Sequence, residues 1–170
     1  MEDGSWLVFA IRWLHVLSGV MWIGLLWYFN FVQIPSMPKI PDEQKPAIGK
    51  VIAPEALFWF RWSALSTIVF GALLALMNGY LVEGLLLGIV SQVSGHTMIG
   101  FGMWLGLIMA FNVWFVIWPN QQKALGMVAV EADEKAKAAR TAMLFSRTNT
   151  MLSLPMLYAM VAAQNLFRIS

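Results

Sequence analysis

Apolar residues in this chain gather into four long runs instead of alternating or striping one helix face. The runs cover about residues 6–31, 56–80, 95–118 and 141–167. Each approaches or exceeds the roughly 20 apolar residues that a helix needs to cross a bilayer. Between the first two lies a polar loop, 32–55, with Pro38, Pro41 and Pro46 and with Lys39, Lys45 and Lys50. Residues 81–94 are apolar but short, and Glu83, Gln92 and Ser94 interrupt them. They read as an interfacial or re-entrant piece. The stretch 119–140 mixes acid and base (Lys123, Glu131, Asp133, Glu134, Lys135, Lys137, Arg140), the pattern of a solvated surface helix. Pro35 and Pro119 are expected to close the first and third runs. The pattern predicts an all-α integral membrane protein: a four-transmembrane-helix bundle forming a single domain, 1–170.

Composition agrees. Of 170 residues, 59% are hydrophobic and 12% charged, about half the charged share of a soluble domain. Nine tryptophans suit a chain with two membrane interfaces. There is no cysteine, which excludes disulfides, thiolate metal sites and covalently attached c-type haem. The net charge of +2 selects no partner. No phosphate loop, catalytic triad, carboxylate dyad or nucleic-acid patch is present, so no nucleic-acid partner is expected. The N-terminal run is not expected to be a cleaved signal: Glu2 and Asp3 precede it, it is too long, and no small-residue cleavage site follows.

Lysine and arginine concentrate in the loops after runs one and three, with Arg61 just beyond the first loop. The positive-inside rule then puts loops 32–55 and 119–140 in the cytoplasm of a bacterial inner membrane, with both termini periplasmic. Arg168 opposes this weakly.

Runs one and three share a gapless pattern, Met-Trp-x-Gly-Leu-x-x-x-Phe-Asn. It appears as Met21, Trp22, Gly24, Leu25, Phe29, Asn30 and again as Met103, Trp104, Gly106, Leu107, Phe111, Asn112. A histidine precedes each copy, His15 and His96, and each is followed four residues later by glycine, Gly19 and Gly100. The chain is expected to be a duplicated helix pair with a two-fold axis along the membrane normal.

An ionisable side chain in lipid is costly and points to function. These are the chain's only two histidines, and two neutral imidazoles suit a b-type haem. Glycine four residues on lies on the same helix face and would let a flat plate approach. Ser18 and Trp22 share the His15 face, Met103 shares the His96 face, and Arg12 lies one turn from His15, within reach of a propionate. His15 and His96 are the expected iron ligands, with Gly19, Gly100, Arg12, Ser18, Trp22 and Met103 lining the cofactor. Copper is the alternative, since imidazole and methionine suit it. A structural histidine bonded to a neighbouring helix is the other alternative.

A second polar group gathers at the opposite end: Asn30, Asn112, Arg61 and the run Ser146-Arg147-Thr148-Asn149-Thr150. Amides and a guanidinium together can bind a planar, anionic molecule. Otherwise the arginines snorkel to headgroups and the amides bond one another. Gly102-x-x-x-Gly106 and Gly84-x-x-x-Gly88 permit close helix approach, within the domain or in a homo-oligomer.

Several of these stretches resemble the N-terminal membrane domain of the bacterial membrane-bound urate oxidase (urate hydroxylase) family. They are Arg12-Trp-Leu-His15, Met21-Trp-Ile-Gly24 with Phe29-Asn30, Asn112-Val-Trp-Phe-Val-Ile-Trp-Pro119-Asn120, and Ser146-Arg-Thr-Asn-Thr150 with Leu152-Ser153-Leu154-Pro155. The resemblance implies urate oxidation coupled to a cytochrome c, with Arg147, Asn149, Asn30 and Asn112 around the substrate. Complete members of that family carry a c-type cytochrome domain. This chain reads as a short form without it, which implies a separate electron acceptor. Three functions are therefore expected to compete. The first is electron transfer by a haem b protein serving a periplasmic cytochrome c or a quinone. The second is a urate oxidase-like oxidoreductase. The third is an accessory subunit whose haem is structural.

Overall fold

The computed structural model describes residues 3–167 and 169; Glu2 and Arg168 lie outside them. Every regular element among the described residues is helical. Helix α1 (Asp3–Trp27) passes into a π-helical turn at Tyr28–Gln33, and further helical turns carry it to Lys39. Helix α2 (Ala53–Met77) is led in by Lys45–Ala47 and a second π-helical turn, Ile48–Ile52. A short α3 (Leu81–Leu85) precedes α4 (Ser94–Phe111). That helix continues through a third π-helical turn, Asn112–Ile117, into α5 (Trp118–Ala124). The last helix, α6, runs unbroken over Ala132–Asn165.

Three helical stretches, Ser5–Lys39, Lys45–Met77 and Ser94–Ala124, are long and apolar enough to cross a membrane. They are apolar on all sides, as a span must be where no neighbouring helix covers it. Large side chains of α1 such as Trp6, Phe9, Trp13 and Val20 face outward, uncovered by protein.

The boundaries depart from the hydropathy pattern in three places. Pro35 and Pro119 do not stop their helices. Each follows a π-helical turn by two residues and occupies the first turn of the next segment, as Pro54 does after Ile48–Ile52. Proline normally removes one helix bond and clashes with the carbonyl four residues back. In a first turn its missing N–H costs little. Loop 32–55 is accordingly mostly helical, with a break only at 40–44. Finally, the charged segment and the fourth apolar run are one helix, α6, and Lys123 ends α5 instead of joining it.

Two helix ends are set by glycine. Gly79 (φ +77°) follows α2, with Tyr80 N donating to Ala75 O and Gly79 N to Leu76 O. Gly126 (φ +77°) ends α5 in the same way, through Met127 N to Gln122 O and Gly126 N to Lys123 O. Both are left-handed caps that satisfy terminal carbonyls.

Helix α1 packs along α2, and α4 along α6; α2 also meets α4, and α1 also meets α6. The four long helices thus form a ring in which α1 and α4 stand diagonally. Bulky side chains fill the asparagine end, with Trp22, Leu26, Phe60, Met109, Val113 and Ile117 almost wholly buried. The histidine end holds a smaller cluster, Ala75, Tyr80, Ile99 and Ala163.

Small residues set how closely the helices approach. A Cβ on Gly102 would lie 3.2 Å from the Ala159 Cβ and 3.5 Å from Met156 O. A Cβ on Gly100 would run into the Gly84 carbonyl, which is main chain and cannot swing aside. Gly100→Ala should therefore prise α3 from α4 and lower stability by about 1–3 kcal/mol. Gly24→Ala, at a position with nothing within 4 Å, should be close to neutral. Thermal unfolding of both variants in the same detergent measures the contrast, and equal melting temperatures would refute the close approach.

Candidate functional site

The histidine end takes its geometry from helix pairing. His15 Nδ1 lies 2.9 Å from the main-chain oxygen of Thr67 on α2. A carbonyl can only accept, so Nδ1 carries the proton and, in the neutral ring, Nε2 keeps its lone pair. Gly71, one turn further on α2, makes room for the ring: a Cβ there would come within 2.8 Å of His15 Cε1. His96 begins α4, where its Nδ1 lies 2.8 Å from Ser91 Oγ. The main-chain N–H of Ser91 in turn donates to Glu83 Oε2 at 3.1 Å. Both histidines are thus oriented through Nδ1, His15 as a donor to a carbonyl and His96 against a hydroxyl that can donate or accept.

The residues expected around them divide between two faces. A Cβ on Gly19 would lie 3.8 Å from Thr67 Cγ2, so α2 lies over it. Trp22 is buried in the core beyond, its indole N–H without an acceptor. Ser18 is half-buried. Arg12 is exposed and lies close enough to Tyr80 for its charge to be felt there. Burial pushes the Tyr80 phenol above its ordinary pKa, and the Arg12 charge draws it partly back. On α4 the neighbours belong to α3 instead. Gly100 is closed by Gly84, whose added Cβ would in turn lie 2.8 Å from Met103 Sδ. The space expected beside Gly100 for a flat plate is therefore filled by α3, because two glycines let the backbones touch. Among the described residues no group of three or more His, Cys, Asp or Glu converges.

The asparagine end is more tightly joined. Asn30 Nδ2 donates to Leu26 O (2.9 Å) and to Ser146 Oγ (2.8 Å). Asn112 Nδ2 donates to Asn149 Oδ1 (2.9 Å), and Asn149 Nδ2 donates to Met109 O (2.9 Å). Trp27 Nε1 donates to Ser153 Oγ (3.0 Å). A π-helical turn displaces the usual ladder of helix bonds, so carbonyls at its start need other donors. Leu26 and Met109 sit just ahead of the turns at Tyr28–Gln33 and Asn112–Ile117, and side-chain amides donate to both, at Met109 O beside the main-chain N–H of Asn112. Asn30, Asn112 and Asn149 are thus brought to one end and share the helix α6.

The two arginines do not join them. Arg147 is exposed, whereas Asn149 is wholly buried. A separation of two residues on a helix turns the two side chains to different faces. Arg61 instead stacks on aromatic rings, its Cζ 3.7 Å from the centre of Trp118. A cavity of about 260 Å³ opens nearby, lined in part by Phe29, Gln33, Leu57, Gln121, Met143 and Ser146. Sequence reasoning did not find it. Its walls come from four separate segments, and the one signal was the polar residues Gln33 and Gln121 flanking Pro35 and Pro119.

Residues 87–168 match the family model described as urate oxidase N-terminal. The match takes in His96, Gly100, Met103, Asn112, Arg147 and Asn149, while His15, Gly19 and Asn30 precede it. Over this stretch the likeness read from Asn112–Asn120 and Ser146–Pro155 is established. No curated protein and no solved structure matches the chain.

The amide contacts make a direct test. In a double-mutant cycle, Asn112→Ala and Asn149→Ala should show a coupling of about 0.6–1.7 kcal/mol, the range of interhelical hydrogen bonds in membranes. Unfolding in mixed micelles measures it, and strictly additive losses would contradict the bond.

Proposed function

We propose that this chain, with its urate oxidase N-terminal likeness over 87–168, is a haem b-binding electron-transfer protein of a bacterial inner membrane. It crosses the membrane four times, with the apolar part of α6 as the fourth span and both termini periplasmic. The repeated Met-Trp-x-Gly-Leu-x-x-x-Phe-Asn pattern supports duplication of a helix pair.

The observation that carries the haem reading is the orientation of the two histidines. Each is held through Nδ1, on helices diagonally placed in the ring, at the end with the smaller buried cluster. This donor set fits a b-type haem, with His15 and His96 as axial ligands. The glycine face of α4 does not serve as the shelf, since α3 occupies it. Bound there, the haem would supply one-electron transfer. The chain's own residues do the holding. Thr67 O fixes the His15 tautomer, Gly71 leaves space for its ring, and Ser91 and Glu83 set His96. A periplasmic cytochrome c or a quinone would exchange electrons at this end, and the uncovered apolar face of α1 suits a homo-oligomer or lipid.

The family match favours a second reading, urate oxidation with electrons passed to a separate cytochrome c. Asn30, Asn112 and Asn149 remain together for it. Arg147 would have to act from the exposed face of α6, away from them.

Absorption spectra of the purified protein, oxidised and dithionite-reduced, test the proposal. A Soret band and a sharp reduced α band are expected. His15→Ala and His96→Ala should each lose most of the haem. Gly71→Ala should shift or weaken the bands by displacing the His15 ring. Unchanged spectra in both histidine variants would end the ligation reading. Reduction of the haem by added urate, without dithionite, would favour the second reading over the first.

A further inference from the structure

Arg61 lies eight residues into α2, inside a cluster of aromatic rings at the asparagine end. Its Cζ stands 3.7 Å from the centre of Trp118, 5.6 Å from Phe58 and 6.0 Å from Trp114. These rings are fixed in turn. Trp114 Nε1 donates to the main-chain oxygen of Arg61 at 3.1 Å, and Trp62 meets Trp114 edge-on at 5.3 Å. Trp59 Nε1 donates to Glu55 Oε1, so this nearby carboxylate is engaged with an indole. Among the described residues the ion pairs are Lys45–Asp42 and Lys123–Glu134, and no carboxylate pairs with Arg61. Its Nη1 is buried without a hydrogen-bond acceptor.

A guanidinium stays charged in a protein and presents a planar fork of donors. Leaving such a charge at the edge of hydrocarbon with an unmet donor is costly. Stacking on Trp118 recovers part of that cost but neutralises no charge. The arrangement therefore lacks an anion. Phe58, Trp59 and Trp62 are exposed around it, and indoles favour the headgroup level of a bilayer. The anion at that level is the phosphate of a phospholipid, whose oxygens match the guanidinium fork.

We propose that Arg61, stacked on Trp118, binds the phosphate oxyanion of an anionic phospholipid in the leaflet at the asparagine end. The rings stand against the guanidinium, and the residue is only partly buried, which leaves part of it for the lipid. The site is independent of the histidines and of any cofactor there.

Native mass spectrometry of the purified full chain in a neutral, phosphate-free detergent tests this. Phosphatidylglycerol, phosphatidylcholine and inorganic phosphate serve as the probes. Wild type should retain phosphatidylglycerol about fivefold better than Arg61→Gln, the effect of one basic residue at a lipid surface. It should also prefer phosphatidylglycerol to phosphatidylcholine. Trp118→Leu keeps the charge, removes the stacking plane and should also weaken retention. Displacement of bound phosphatidylglycerol by millimolar inorganic phosphate would assign the same oxyanion chemistry to a soluble source as well. Equal retention by wild type and both variants, with helix content preserved by circular dichroism, would overturn the proposal. So would equal retention of the two lipids.

Discussion

Helices in hydrocarbon gain nothing by hiding apolar surface from water, so their association rests on packing and on hydrogen bonds. In this protein four of those bonds fall on one stripe of α6. Ser146, Asn149 and Ser153 are buried along one face, and each takes a partner from another helix. Ser146 and Ser153 receive α1, through Asn30 and Trp27. Asn149 receives α4, through Asn112 and Met109. Ala138, Ala142, Ala159 and Ala163 extend the same stripe with side chains small enough for close approach. The first hairpin is joined to the second through α6, which offers α1 acceptors that lipid cannot supply, and through Trp114, whose indole donates to Arg61 O on α2.

The same stripe explains how the two ends differ. At the asparagine end, amides fix the helices and large side chains complete the packing. At the histidine end, helix contact runs mainly within each hairpin: His15 to Thr67 and Gly71, His96 to Ser91. That end carries the chain's two imidazoles, and it is the end with less bulk between the hairpins.

Much of this was legible in the sequence. Of the four apolar runs read as spans, three correspond to helical stretches long and apolar enough to cross a membrane, and the repeat held the paired asparagines that meet α6. The π-helical turns were not legible. Pro35 and Pro119 carry the usual stop signal, and only the wide turn ahead of each lets the helix pass. The surface helix and the fourth run looked separate because composition changes near residue 141, yet Ala138, Ala142 and Ser146 keep one face buried across that change. Arg147 and Asn149 looked like partners because they are adjacent in a dense polar run. Helical rotation separates them. Gly100 looked like free space, since sequence cannot tell an open glycine from one pressed against another backbone.

The wide turns have a genetic corollary. A π-helical turn holds about one residue more than the α-helical turn it replaces, and each α-helical residue rotates the chain by about 100°. Tyr28–Gln33 and Asn112–Ile117 therefore behave as one-residue insertions, one in each of two long helices. Removing a codon from only one of them would let that helix tighten and swing everything beyond it by about a quarter turn. Pro35 or Pro119 would then stand in an unbroken α-helical ladder, where proline clashes with the carbonyl four residues back.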